Sequence, residues 1–332
     1  MGDIKLKDIA DALNVSSVTV SNALSGKKGV SDDVREMILK TAREMGYNLS
    51  RYEKSEKGRK IGVIVSKKYL EVGISFYWAM YQKVAYAVSK KQGVTMLEVL
   101  GAIDEDQGIL PQMVQAKTVD GLIVIGWVKK TYVEKLVKKS GVPVVLLDFY
   151  MQGVSCDAVM SGNYVGMYKV TRYLLERGHR EIAFVGSIMA NGNIMDRYYG
   201  YKKGMSEAGL QIRKEWCLED RDIISGELHI ELPKSLPTAF VCNSDLTASR
   251  IYDALAEKGY RVPEDISIVG YDNYLFGHSL AEKLTTYNVD MKGMAEIAVK
   301  FLLRKIQGSE KRCVIRFVDS AVIERSSVRT LE

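Results

Sequence analysis

From Lys60 onward the chain alternates short apolar runs with amphipathic segments of helical period, a pattern that few folds accept. The runs are Ile61–Val65, Val94–Val99, Gly121–Ile125 and Val142–Leu147, with helical spacing near residues 77–91, 105–117 and 130–139 between them. A second series follows: Glu181–Val185, Thr238–Cys242 and Ile266–Gly270, with helices near 163–177, 196–208, 245–258 and 291–306. Strands that are apolar throughout are buried on both faces, which requires parallel sheet with helices on each side. The expected class is α/β with two doubly wound lobes, because 332 residues exceed one compact domain of ordinary size. Pro111 falls inside the second helical stretch and predicts a late or irregular helix there.

The first 46 residues follow a different rule. Lys5 to Leu24 spell a short helix, a tight turn and a second short helix, a helix-turn-helix. Ile9 and Leu13 share one face, Asn14 supplies the left-handed residue that ends the first helix, and Ser16 caps the second while Val20 and Leu24 point inward. Ser31 caps a third helix with Asp32 and Asp33 at its positive end, and Val34, Ile38, Ala42 and Met45 recur at helical spacing before Gly46 stops it. Three such helices make a small all-α helix-turn-helix domain whose second helix is shaped for the DNA major groove. Its outward set is Ser16, Ser17, Val18, Thr19, Ser21 and Asn22. Ser17, Val18 and Asn22 are the candidates for base edges: Asn pairs bidentately with adenine, Val touches a thymine methyl, and Ser is permissive. Ser16, Thr19 and Ser21 suit phosphates. The plainer alternative is a set of capping and surface residues on a small helical unit.

Charge points the same way. Residues 1–60 hold 12 Lys/Arg and 9 Asp/Glu, so +3 of the net +6 sits in under a fifth of the chain. Residues 1–46 balance at 7 against 7, which leaves the surplus to Arg51, Lys54, Lys57, Arg59 and Lys60 over Glu53 and Glu56. A basic connector attracts phosphates regardless of base sequence, and Arg51 and Lys54 join the DNA-binding set on that ground. The N-terminus lacks a signal-peptide apolar core and no apolar stretch approaches bilayer length, so a cytoplasmic protein with no membrane partner is expected. Cys156, Cys217, Cys242 and Cys313 are scattered without CxxC spacing, which predicts buried thiols in a reducing compartment rather than disulfides or a zinc site.

Two similar lobes side by side gather the carboxyl ends of their strands around a shared cleft, where open parallel sheets bind ligands. The segments there are Ser66–Tyr77, Gly126–Trp127, Asp148–Tyr150, Ser187–Arg197, Asn243–Asp245 and Tyr271–Asn273. Phe76, Trp127, Asp148, Phe149, Arg197, Ser244, Asp245 and Asp272 are the candidates among them, since carboxylates, an Arg and aromatic rings suit a small hydroxylated ligand. Each also has a structural reading, with Asp245 as a helix cap, Asp272 as a turn residue and Trp127 as a core filler. An enzyme with this sheet would need a phosphate-gripping glycine loop after its first strand, and Ser66-Lys67-Lys68-Tyr69 has none. His179, His229 and His278 have no catalytic or metal spacing, so neither catalysis nor a cofactor is expected. An exported sugar-binding protein would need a leader and no DNA-reading head.

Several stretches resemble the LacI/GalR family of bacterial transcription regulators nearly end to end: Lys7-Asp8-Ile9-Ala10, Val15-Ser16, Thr19-Val20-Ser21, Val30-Ser31 to Gly46-Tyr47, Gly178 to Phe184, Arg197 before Gly200-Tyr201, Val262 to Asp272 and Leu284-Thr285-Thr286. The resemblance implies a DNA-binding head over 1–47, a connector over 48–60, and a core over 61–332 built like periplasmic binding proteins. One lobe would take residues near 61–160 and 290–318, the other 161–287 and 320–330. It further implies a repressor that binds double-stranded operator DNA as a homodimer, with a small, sugar-like effector in the cleft. By position, Asp148, Arg197, Asp245 and Asp272 match effector-contacting residues, and Asn163 joins them as an effector-binding candidate. A cytoplasmic ligand sensor without strong DNA binding is the alternative.

The chain departs from the family pattern at four places. Asn22 stands where many members carry Arg, Gly162 replaces a common Asp, and Asn243-Ser244 replaces a common Ala-Asn pair. The connector lacks the usual Pro-Asn pair and hinge-helix Leu, with Glu56 near that position. An acidic residue suits a phosphate-lined groove badly, so weaker DNA bending is expected, or a substitute wedge from Leu49 or Tyr52. No heptad tail that would tether dimers precedes Glu332.

Overall fold

The computed structural model describes residues 4–25, 29–49, 58–70, 75–223, 226–308 and 312–332. The head consists of α1 (Leu6–Ala12), α2 (Ser17–Leu24) and α3 (Asp32–Glu44). α1 and α3 end in the same way. Asn14 at φ +52° and Gly46 at φ +77° turn the chain left-handed. The next amide then donates back into its helix, Val15 N–H to the Ala10 carbonyl at 3.0 Å and Tyr47 N–H to the Ala42 carbonyl at 2.9 Å. Ile9, Val20, Leu24, Ile38 and Ala42 close the core, and Leu49 from the connector joins them.

The first α/β sheet contains β1 (Lys60–Ser66), β2 (Val94–Leu100), β3 (Gly121–Ile125), β4 (Val144–Leu147), β5 (Asp157–Ser161) and β11 (Ile315–Val318). All its pairings are parallel, in the order β11-β5-β4-β3-β1-β2. Strand alternation divides the side chains between two cores. Ile61, Val63, Val65, Ile123 and Val145 meet α4 (Phe76–Ser89) and α11 (Met291–Ile306). Ile64, Leu122, Val124 and Leu146 meet α6 (Gln112–Gln115) and α7 (Lys130–Lys139) on the other face. Pro111 does interrupt its helix: α5 (Ala102–Gln107) stops at Gly108, φ +64°, and α6 starts afresh behind Pro111. β2 is not buried on both faces as its apolar run implies. It lies at the sheet edge, and Val94, Met96 and Val99 remain 54, 38 and 46 % exposed.

The second sheet contains β6 (Ile182–Val185), β7 (Cys217–Leu218), β8 (Ala239–Cys242), β9 (Ser267–Asp272), β10 (Thr285–Asn288) and β12 (Val322–Ile323). Its order is β12-β10-β9-β8-β6-β7, with only the β10–β12 pairing antiparallel. α8 (Asn163–Glu176) and α9 (Gly192–Glu207) cover one face, and α10 (Asp245–Glu257) the other. A side chain at Gly200 would strike the Tyr164 carbonyl, so glycine there lets α8 and α9 approach closely. The backbone passes between the sheets after β5, before α11 and after β11. Asp32 at the start of α3 meets Lys300 of α11 at 3.0 Å, an exposed pair that joins head to core and is worth at most about 1 kcal/mol.

Among the described residues no helix is long and apolar enough to cross a membrane. Of the thiols expected to be buried, Cys156 and Cys242 are, whereas Cys217 is half-buried and Cys313 is exposed. Cys313 precedes β11, the strand at one edge of the first sheet.

Candidate functional site

α2 turns Val20, Ala23 and Leu24 into the head core and presents Ser17 and Val18 to solvent, Val18 being 69 % exposed. Thr19, Ser21 and Asn22 are half-buried beside them. Ser16 is exposed, but its hydroxyl is engaged: it accepts the Thr19 N–H at 3.0 Å and bonds the Thr19 hydroxyl at 2.8 Å. The base-edge candidates Ser17, Val18 and Asn22 therefore lie along the uncovered side of the helix. Leu49 does not. It is buried in the head core, which removes it as a substitute wedge; Arg51, Tyr52 and Lys54 lie outside the described residues.

The cleft forms where β4 and β9 end. Asp148 directly follows β4 at φ +67°, and Asp272 ends β9 at φ +124°. Left-handed backbone is costly for a residue with a Cβ and concentrates at functional sites, and here it directs both carboxylates into the cleft. Arg197, one face of α9, lies between them. Its Nε donates to Asn163 Oδ1 at 2.8 Å, one terminal nitrogen donates to the Asn243 carbonyl at 2.6 Å, and the other lies 3.6 Å from Asp272 Oδ1. The guanidinium also stacks 3.8 Å above the Tyr271 ring. Burial opposes its charge, but the carboxylates of Asp272 and Asp148 hold its proton more tightly than usual.

Burial dominates the acids too. The Asp148 carboxyl is pushed up to about 6 by desolvation, partly countered by Arg197 and by hydrogen bonds from Tyr77 and Asn193. Desolvation also raises Asp272 and Asp245 above the usual carboxylate range. Asp245 Oδ1 accepts the Thr286 hydroxyl at 2.6 Å and Oδ2 the Tyr274 N–H at 2.7 Å, bracing α10 against β10. Glycine at 270 makes room for that carboxylate, which any side chain there would strike.

The structure brings Asp148, Asn163, Arg197, Asp245 and Asp272 into one electrostatic cluster. Phe76 stands at its edge, ring to ring with Tyr77 at 5.3 Å and with Tyr274 of the opposite lobe at 6.1 Å. Trp127 is half-buried with Lys68 Nζ 4.9 Å from its ring. Ser244 caps α10, its hydroxyl accepting the Thr247 N–H at 3.1 Å. Phe149 turns away from the cleft and is buried in the outer core with Val128 and Leu146, because the residue after Asp148 faces the other side of the sheet.

Three contributors were not among the sequence candidates. Tyr77 donates to Asp148 Oδ2 at 3.2 Å, and Asn193 donates to the same residue from the opposite lobe. Asn193 precedes Arg197 by one helical turn, a spacing that places both on one face. Asp220 accepts from Arg221, Asn243, Thr247 and the Ser187 N–H, and holds the rim of the second lobe together. It follows a two-residue strand, too short to leave a periodic signal.

Known proteins resemble this chain in both its head and its core. Residues 5–50 match the family described as bacterial regulatory proteins, lacI family, and residues 171–328 match the periplasmic binding protein-like domain. The HTH-type transcriptional repressor PurR of Erwinia tasmaniensis is 30 % identical over 334 residues, 97 % of this chain and 96 % of that protein. The transcriptional regulator CelR in complex with cellobiose has the same fold, with a TM-score of 0.68 and 22 % identity over 98 % of this chain and 99 % of its own. The lac repressor dimer bound to operator and the anti-inducer ONPF superposes at a TM-score of 0.68, with 20 % identity over 99 and 100 % of the two chains. A helix-turn-helix head joined to a two-lobed cleft thus identifies the chain as a DNA-binding transcriptional regulator of the LacI family.

Proposed function

We propose that the protein is a cytoplasmic repressor that grips a two-fold symmetric operator as a homodimer and is controlled by a neutral, hydroxylated, sugar-like ligand in the cleft. The division into head 1–47, connector 48–60 and core 61–332 belongs to this reading. One observation carries the ligand chemistry. Asp148 Oδ1 and Asn163 Nδ2 are buried around Arg197, and neither has a hydrogen-bond partner among the described residues. An unpaired acceptor and an unpaired donor in one cluster match a hydroxyl group, which both donates and accepts.

Charge favours a neutral ligand. Arg221 is consumed by its paired bonds to Asp220, which leaves Arg197 facing Asp148, Asp245 and Asp272. A phosphorylated ligand would meet more carboxylate than guanidinium. Two copies are needed because one short head offers too few contacts for a specific site. The exposed apolar edge of β2 beside Trp78 and Tyr86 of α4 supplies a surface for pairing.

Selection of bound DNA from a random pool, followed by gel shifts with a panel of sugars and their phosphates, tests the reading. A dyad-symmetric consensus whose affinity responds to an uncharged sugar supports it. Equal weak binding to all DNA would leave only a ligand sensor, and a response confined to phosphorylated sugars would overturn the ligand chemistry.

A further inference from the structure

Two cysteines outside the head and the cleft, Cys156 and Cys313, lie at the foot of the first sheet. β11 pairs in parallel with β5, Ile315 opposite Ala158, and Ala158 N–H donates to the Val314 carbonyl at 2.9 Å. The contact continues one residue beyond the ladder, where Asp157 Oδ1 accepts the Val314 N–H at 2.7 Å. Cys156 lies just before β5, its N–H turned to the Val154 carbonyl at 3.0 Å, and Cys313 lies two residues before β11, at the corresponding place beside it. Neighbouring strands run about 4.8 Å apart, and the Cα separation of disulfides covers roughly 4.4–6.8 Å. Lys305 of α11 fixes the start of β11: its Nζ donates to the Arg312 carbonyl at 2.6 Å and lies 3.7 Å from Cys313 Sγ and 3.7 Å from Asp157 Oδ2. Cys313 is exposed and Cys156 buried, so a small oxidant reaches the Cys313 thiol first.

We propose that Cys156 and Cys313 form a reversible intramolecular disulfide when the protein meets a peroxide. The Cys313 sulfur attacks the peroxide, takes one oxygen as a sulfenic acid and releases water or an alcohol. The Cys156 sulfur then attacks the sulfenic sulfur, closes the S–S bond and expels the oxygen as water. Two thiols lose two electrons and two protons in total, and the peroxide gains both. Burial pushes the Cys156 thiol up to about 12, with the Cys313 thiol the next contributor, which keeps Cys156 mostly protonated and suits it to the second, resolving step rather than to the first attack on peroxide. The bond joins the N-terminal ends of β5 and β11, whose C-terminal ends lead into two of the three passages between lobes.

The full-length protein, treated with hydrogen peroxide and then with a thiol-blocking reagent, gives the readout. The expected result is loss of two of the four thiols, a monomer lighter by two hydrogens, a proteolytic peptide linking Cys156 to Cys313, and reversal by dithiothreitol. Cys313→Ser, at an exposed position, and Cys156→Ala, which keeps an apolar side chain in place, each abolish the linked peptide. Oxygen added to Cys313 with Cys156 still free, or a covalent dimer through Cys313, would overturn the proposal.

Discussion

Asn193 and Asp148 tie the two lobes together across the cleft: Asn193 Nδ2 donates to the Asp148 carbonyl at 2.8 Å and to its Oδ2 at 3.1 Å. Hydrogen bonds to charged groups contribute about 1.5–3 kcal/mol. Asn193→Ala should therefore cut the ratio of closed to open lobes by about 10- to 100-fold. Small-angle scattering of the ligand-free variant should show a larger radius of gyration than wild type, and identical curves would show that the tie does not hold the lobes.

Arg197 is buried against Asp272, Asn163 and Asn243, so removing its charge strands a carboxylate. Arg197→Met should cost about 3–5 kcal/mol in urea unfolding. Adding Asp272→Asn should restore part of that loss, because the orphaned charge goes with it. Simple addition of the two single losses would show that the pair is not coupled.

Asp148 gives stability a definite pH slope. Its carboxyl is raised from 3.8 to about 6 by burial, so between those values the folded protein holds a proton that the unfolded chain releases. The Asp148 contribution falls as pH rises through this window and levels off above it, with the raised Asp245 and Asp272 carrying the decline to higher pH. Asp148→Asn should flatten that part of the profile when unfolding free energies are compared from about pH 4 to about pH 8.

Val18 is exposed on α2 and Asn22 lies one turn further along it. Val18→Ala and Asn22→Ala should leave the melting temperature within error while costing about 1–3 kcal/mol at the preferred operator and relaxing base preference at single positions. Competition binding against operator variants measures this. A uniform loss on every sequence would assign these residues to backbone contacts instead.

Leu49 sits in the head core, 5 % exposed. Leu49→Ala should destabilise the head by about 2–5 kcal/mol and weaken binding to all DNA alike. Proteolysis of the head alongside a bending assay separates this from a wedge, whose loss would reduce the bend and leave the head intact.

The sequence alone determined the head and the class of the core. Asn14, Ser16, Ser31 and Gly46 carry local conformational preferences, and each sits at the turn or cap it implies, because capping and left-handed turns depend on a few neighbouring residues. Runs such as Gly121–Ile125 mark central strands because both faces of a covered sheet exclude water. Of the cleft, Asp148, Arg197 and Asp272 were legible by their place after strands or on the facing helix. Only the tertiary structure decided that Phe149 turns into the core, that β2 lies at an edge, that Leu49 belongs to the head, and that Asn193 reaches across to Asp148. Those facts depend on which elements become neighbours in space, and pairings between residues far apart in the chain leave no trace in local periodicity.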